Sequence, residues 1–449
     1  MKIKFFPDEP LNDPTNDDLA LNQLVSRIVV ALEHTQPPFV FGLLGDWGVG
    51  KTSCLALLEH HLKQDKPHLV PVRFNPWMYE NDTNMVYPLL HTIRSEYMSF
   101  SHSQPSEDRF LNTFKRIAVG SVLAITNIGI KTLTQSVFGV TLGVKEIGEH
   151  IDSTNEVLTK RSSLIEASLH DWTNSIDDLR KGFDELINIY RETVSANNIG
   201  IDAENVRIII LLDDLDRCLP EVAIRIIESI KNFFSVPGCI FILAINPEVI
   251  EQGIRLKYNG LDISGRRYLE KILNYSFRVP VASPEHMPAF TKRHLEALLP
   301  ETLQNSQYNR MFEEFGSVLK KCNFSNPRKV KRILNHYILF LVHNQNIINE
   351  FRNGDIVRVI ILAEYYPELF LVIKNDTNVI SSLSNMGKKN NIQDMLKQTY
   401  GFDISPVYEE LLVMNDLFSL IHGEAITDSG VTIRGIVSHL NAIEDIVFG

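Results

Sequence analysis

Cysteine is scarce in this chain: the 449 residues include four, Cys54, Cys218, Cys239 and Cys322, far apart and without a C-x-x-C pair. Such spacing offers neither a zinc site nor a disulfide framework, and the four read as buried small hydrophobes in a reducing cytosol. The start, Met1 to Pro10, lacks a seven-residue apolar core ahead of a cleavage site, so no secretory leader is expected. An unbroken membrane span is missing as well. Residues 117–144 carry one charge, Lys131, but the segments on either side are 14 and 13 residues long, against about 20 for a span. One span through both would hold Lys131 near its centre, at about 2.5–3.5 kcal/mol. A buried or interfacial element is therefore the expectation, not a spanning one. An excess of positive charge is absent too: 44 Lys and Arg against 55 Asp and Glu give −11, which disfavours a nucleic-acid partner while leaving room for a local basic face.

What is present is a folded soluble composition, 44% hydrophobic and 22% charged, on a chain long enough for two or three domains. Its organising stretch is Gly45-Asp46-Trp47-Gly48-Val49-Gly50-Lys51-Thr52-Ser53. An extended apolar run, Phe39–Leu44, precedes it and a helical pattern from Cys54 follows, the strand-to-helix context of a phosphate-binding loop. The three glycines allow backbone N–H groups to converge on phosphate oxygens at a helix N-terminus, where the dipole favours negative charge. Lys51 would reach the β and γ phosphates and Thr52 would hold Mg²⁺. The guanine-reading motifs Asn-Lys-x-Asp and Thr-Lys-x-Asp do not occur, which favours adenine.

Around this loop the chain falls into order. Phe6 to Asp18, rich in Pro, Asp and Asn, suits an extended arm lying on a domain, and an amphipathic helix with Leu21, Leu24, Val25, Ile28 and Val29 on one face follows. Leu69–Phe74 is a second strand, leaving through Asn75-Pro76-Trp77. From Ile165 apolar residues recur at Leu169, Trp172, Ile176, Leu179, Phe183, Leu186 and Tyr190, a narrow helical seam whose partner is either another subunit or a helix of the same chain. Val206–Leu212 holds five consecutive apolar residues, Ile208–Leu212, without alternation, as in a strand buried on both faces. It ends in Asp213-Asp214-Leu215-Asp216-Arg217, acids at the carboxyl edge where open α/β sheets bind ligands. Asp213 suits Mg²⁺ and Asp214 suits orienting and deprotonating water; Asp216 reads as part of a capping cluster for the helix from Pro220. The strand Cys239–Ile245 ends in Asn246, which either meets the γ-phosphate or the lytic water, or starts the Asn246-Pro247 turn. After the strand Tyr275–Val279 the pattern is helical. Arg328, Lys331 and Arg332 share a helix face after Pro327, a face either solvated or directed at phosphates.

Together, the Gly45–Ser53 loop (Walker A), Phe74-Asn75-Pro76-Trp77, Asp213–Cys218 (Walker B), Tyr268–Ile272 and Pro327-Arg328 with Arg332 resemble the KAP family of P-loop NTPases, relatives of the AAA+ and STAND classes. The resemblance implies a five-stranded parallel sheet of order 5-1-4-3-2 with a helical insertion and a C-terminal α-helical domain. It implies ATP with Mg²⁺ and assembly into homo-oligomers. Boundaries are expected at 1–99 and 196–282 for the two parts of the core, 100–195 for the insertion, and 283–449 for the lid and C-terminal helices. Three departures stand out. Many members insert clear membrane spans where this chain has a weakly apolar, charge-interrupted insertion. The strand that ends here in Asn246 often ends in an acid. Asp214 stands where related ATPases often carry the longer Glu.

The resulting expectation is an Mg²⁺-dependent, cytoplasmic ATPase, with peripheral membrane contact through 117–144 left open. Lys51 and the loop amides serve phosphate, Thr52 and Asp213 the metal, Asp214 the water, and Arg328 supplies charge from the lid. Arg266 or Arg267 is the candidate arginine finger. A different class, an ATP-gated scaffold that recruits a protein effector with little turnover, fits the same motifs. A nucleic-acid motor draws only on the 328–332 cluster. Family resemblance points to bacterial defence against phage or plasmids as a setting.

Overall fold

In the computed structural model, five strands align into one parallel sheet: β1 (Phe39–Leu44), β2 (Leu69–Phe74), β3 (Arg207–Leu212), β4 (Cys239–Ile245) and β5 (Tyr275–Arg278). Described are residues 5–80, 86–101, 105–125, 169–231, 235–257, 264–298, 306–321, 324–343, 353–365 and 367–375. The spatial order is β2-β3-β4-β1-β5, which is the order 5-1-4-3-2 implied by the resemblance. All four pairings are parallel, so β1 and β3, the strands that lead into the loop and the acids, end on the same edge with β4 between them. Burial on both faces explains the apolar runs: every residue of β4 is buried, and so is every residue of β3 after Arg207. Pro71 sits in β2, an edge strand, where a missing N–H is tolerated.

The chain divides into two compact units, one of Asn22–Trp47 with Lys51–Val279, the other of Met1–Leu21, Gly48–Gly50 and Pro280–Gly449. The first holds the sheet. Its helices are α1 (Leu21–His34, from Asn22), α2 (Lys51–Asp65), α3 (Val86–Phe100), α4 (Pro105–Ile125), α5 (Leu169–Asn197), α6 (Pro220–Ser229), α7 (Pro247–Lys257) and α8 (Gly265–Ile272). The helical seam is on α5, where Leu179, Phe183, Leu186 and Tyr190 are buried, and it faces α4 of the same chain. A Cβ on Gly182 would lie 2.8 Å from Ile117 Cγ1. Tyr97 and Phe110 stack at 3.7 Å with Tyr190 edge-on to Tyr97, so α3, α4 and α5 share one aromatic core. Ile165, residues 126–144 of the apolar stretch and Cys322 lie outside the described residues. Among the described residues no helix is long and apolar enough to cross a membrane. Cys54, Cys218 and Cys239 are buried and form no disulfide; burial pushes the Cys218 thiol up to about 12 and Cys239 up as well.

The second unit is helical, with α9 (Met287–Leu298), α10 (Ser306–Lys321), α11 (Pro327–His343), α12 (Asn353–Tyr365) and α13 (Pro367–Asn375). The N-terminal arm lies along it. The Asn335 side-chain amide accepts from Phe6 N at 2.8 Å and donates to Phe6 O at 3.0 Å, and the Phe6 ring meets His294 edge-on at 4.8 Å. Arg328 pairs with Asp8, Lys331 donates to the Glu9 carbonyl at 3.2 Å, and Arg332 pairs with Glu364 at 2.6 Å. The three cations are thus engaged within their own unit. Asn326 explains why α11 starts where it does: Pro327 takes the first turn and Asn326 Oδ1 accepts from Arg328 N at 3.1 Å and Lys329 N at 3.3 Å.

Candidate functional site

The loop after β1 is shaped by glycine. Gly48 and Gly50 have φ of 82° and 105°, a region costly for residues with a Cβ. Gly45 N–H donates to Ile245 O at 3.2 Å, tying the loop's start to the end of β4. Lys51 opens α2, buried, with its ammonium bonded to Gly45 O at 2.8 Å and Asp46 O at 3.2 Å. Thr52 and Ser53 follow in the first turn of α2, Val49 is buried, and Trp47 is exposed. In the second unit an added Cβ on Gly48 would fall 2.5 Å from Asn326 Oδ1 and 2.9 Å from Arg328 Cβ.

At the end of β3 the structure brings Asp213 to the loop. Thr52 Oγ1 donates to Asp213 Oδ1 at 3.2 Å, so the two expected metal ligands share one point, as a bound Mg²⁺ would require. Asp213 Oδ2 accepts from Arg73 on β2 at 2.8 Å, and Asp213 Oδ1 also accepts from Asp214 N at 3.1 Å. Asp214 adopts φ 57°, ψ 22°, the left-handed region in which Asp is among the more tolerated residues. Its oxygens are both occupied: Asn75 Nδ2 donates to Oδ2 at 3.0 Å and Arg217 Nε pairs with Oδ1 at 2.8 Å. Burial first, then the neighbouring Asp213, raises the Asp214 carboxyl above its ordinary range, while Arg217 and Asn75 pull it the other way. The Arg217 guanidinium also lies 5.2 Å over the Trp77 ring, which links the Asn75-Pro76-Trp77 turn to the acidic run.

Asp216 departs from its capping role. The N-cap of α6 is Leu219, without a side-chain cap bond, and Asp216 is instead buried against the loop. One of its oxygens, Oδ2, accepts from Trp47 Nε1 at 3.2 Å and Asn246 N at 2.8 Å and forms an ion pair with Lys51 Nζ at 3.2 Å. Asn246 takes the turn alternative: its Oδ1 accepts from Glu248 N at 3.1 Å, capping α7. Arg266 and Arg267 are exposed on α8, Arg266 paired with Glu270 at 3.3 Å. Arg73, Asn75, Arg217 and Asp216 thus join the site without having been expected there. Asn75 and Arg217 were visible only as parts of motifs, and Arg73 as the polar residue of an otherwise apolar strand.

The residues fit a Mg²⁺-bound triphosphate: glycines hold the loop backbone open, a lysine and a helix N-terminus face one way, and a hydroxyl and a carboxylate converge. The family comparison agrees in kind. Residues 21–340 match the KAP family P-loop domain. The chain is 28% identical over 190 residues to an uncharacterized protein of Methanocaldococcus jannaschii, covering 39% of this chain and 90% of that one. It is 22% identical over 323 residues to the phage T7 exclusion protein of Escherichia coli, covering 70% of this chain and 40% of that protein's length. A solved structure of the Aeropyrum pernix ORC2 protein in ADPNP-ADP complexes aligns with a TM-score of 0.36 and 13% identity, covering 99% of this chain and 97% of that one. Because the family match takes in the loop, the acidic run and the start of the C-terminal helices, the chain belongs to the KAP family of P-loop NTPases.

Proposed function

We infer that the chain is a Mg²⁺-dependent ATPase in which hydrolysis drives conformational or oligomeric switching. The observation that carries this reading is the meeting of Thr52 Oγ1 and Asp213 Oδ1 at 3.2 Å, beside a loop whose lysine is already buried against it. Mg²⁺ there would neutralise charge on the β and γ phosphates. Lys51 and the loop N–H groups bind and orient the triphosphate, Thr52 and Asp213 hold the metal, and Asp214 takes a proton from the attacking water. Arg73 offsets the charge of Asp213 until the metal does so. Arg328 supplies lid-side charge, an arginine finger from Arg266 or Arg267 of a neighbouring copy completes the site, and the chain works as a homo-oligomer. The relative named for phage T7 exclusion, matched over 40% of its length, supports a setting in antiviral defence.

The second reading, an ATP-gated scaffold with little turnover that recruits a protein effector, is favoured by one observation. Both oxygens of Asp214 are held, by Asn75 and Arg217, so the base is occupied until that grip loosens. Steady-state phosphate release from Mg-ATP, measured beside mass photometry for the parent, Asp214→Asn and Lys51→Ala, separates the two. The ATPase reading expects parent turnover well above both variants. Equal turnover in parent and Asp214→Asn, with ATP-dependent assembly retained, selects the scaffold.

A further inference from the structure

The Lys51 ammonium has three buried partners: it donates to Gly45 O at 2.8 Å and Asp46 O at 3.2 Å, and it forms an ion pair with Asp216 Oδ2 at 3.2 Å. A phosphate oxygen that approaches the ammonium competes with these partners, and most directly with the one that carries charge. Two of the three acceptors are neutral carbonyls of the loop itself. The third is a carboxylate whose side chain is 2% exposed, against 9% for that of Lys51, and it is the one acceptor of the same charge and chemistry as phosphate. On losing the ammonium Asp216 would keep two neutral donors, Trp47 Nε1 at 3.2 Å and Asn246 N at 2.8 Å, but no cation.

We propose that Asp216 is the positioning residue of the phosphate loop, an internal anion that holds Lys51 in place before nucleotide binds and surrenders it to the triphosphate. The inference rests on the reading of the loop as a triphosphate cradle. It gives the third acid of the run a task distinct from those of Asp213 and Asp214: setting the loop's geometry in advance and taxing nucleotide affinity by competing for the same cation. Trp47 and the Asn246 amide keep the carboxylate in register, so that it can take Lys51 back when the phosphates leave.

The pairing is tested first without nucleotide, by melting the parent, Lys51→Met, Asp216→Asn and the double variant. Lys51→Met keeps the aliphatic stem but leaves a buried carboxylate without its cation, and should lower Tm on the order of 5 °C. Asp216→Asn added to it should restore most of that loss, since the stranded charge is gone. Strictly additive losses overturn the proposal. Calorimetry with Mg-ATP is the second arm and does not depend on Lys51→Met folding. Asp216→Asn keeps an acceptor for Trp47 and Asn246 but removes the competing charge, so Kd should fall by about fivefold to tenfold, 1.4 kcal/mol corresponding to tenfold. A merely structural role would weaken ATP instead, and that result overturns the proposal. If the parent itself gives no heat with Mg-ATP, the cradle reading fails, and the nucleotide-free cycle still decides whether Lys51 and Asp216 are coupled.

Discussion

Arg73→Met isolates the charge balance at Asp213. Arg73 donates to Asp213 Oδ2 at 2.8 Å, and the side chains are 29% and 5% exposed. Removing the guanidinium leaves Asp213 with two neutral donors, Thr52 Oγ1 and Asp214 N. A hydrogen bond to a charged group contributes about 1.5–3 kcal/mol, and the partial exposure of Arg73 places the cost near the lower half of that range, about 2 kcal/mol. For a unit of this size, Tm should fall by about 4–8 °C in the absence of metal. Mg²⁺ and ATP restore positive charge at the same carboxylate, so the deficit should shrink by more than half when both are present. Differential scanning fluorimetry of parent and variant, in EDTA and in excess Mg-ATP, reads both numbers. A deficit that is the same in the two conditions would refute the assignment of Asp213 to the metal. No deficit in EDTA would refute the pairing.

Other perturbations test neighbouring parts. Gly48→Ala places a Cβ on a residue with φ 82° and within 2.5 Å of Asn326 Oδ1. The left-handed conformation alone costs about 1–2 kcal/mol; if the empty loop relaxes out of it, binding pays that cost and calorimetry should find ATP bound on the order of tenfold more weakly, whereas unchanged affinity would mean that binding does not draw Gly48 back into that conformation. Asn335→Ala deletes both bonds to Phe6 and should speed hydrogen exchange at residues 6–9, whereas unaltered exchange would mean the arm is held by other contacts. Burial, with Lys331 and Arg293 nearby, holds the His294 imidazole below its ordinary range despite its bond to Phe290 O. The unfolded chain therefore binds the proton more readily, and stability should be full above about pH 6.5 and decline as pH falls toward the depressed folded value. His294→Gln should flatten that decline in thermal melts, and an unchanged slope would remove His294 as its source.

The strands were legible because burial on both faces writes itself as unbroken apolar runs, as in Ile208–Leu212 and Cys239–Ile245. Their order was not. Periodicity carries no information about which strand lies beside which, and the order 5-1-4-3-2 came through the resemblance. The seam on α5 was readable as a seam, but its period is the same whether the partner is α4 or another subunit. Asp216 was the clearest miss. An acid near a helix start looks alike whether it caps that helix or anchors a lysine far away in sequence, and only the fold brings Lys51, Trp47 and Asn246 to it. Asn246 left two readings open, and the bond to Glu248 N favours the turn. The basic cluster on α11 was legible as a face, yet its pairing with Asp8 and Glu9 depends on where the N-terminal arm runs.

The most direct measurement is an experimental structure of the chain with Mg²⁺ and a non-hydrolysable ATP analogue. Thr52 Oγ1 should ligate the metal at about 2.1 Å, with Asp213 bound directly or through one water. Lys51 should have left Asp216 for the β and γ phosphates, and Asp214 should face the γ-phosphate. A nucleotide bound with its metal away from Thr52 and Asp213, or with Lys51 still on Asp216, would contradict the assignment of these residues to one triphosphate.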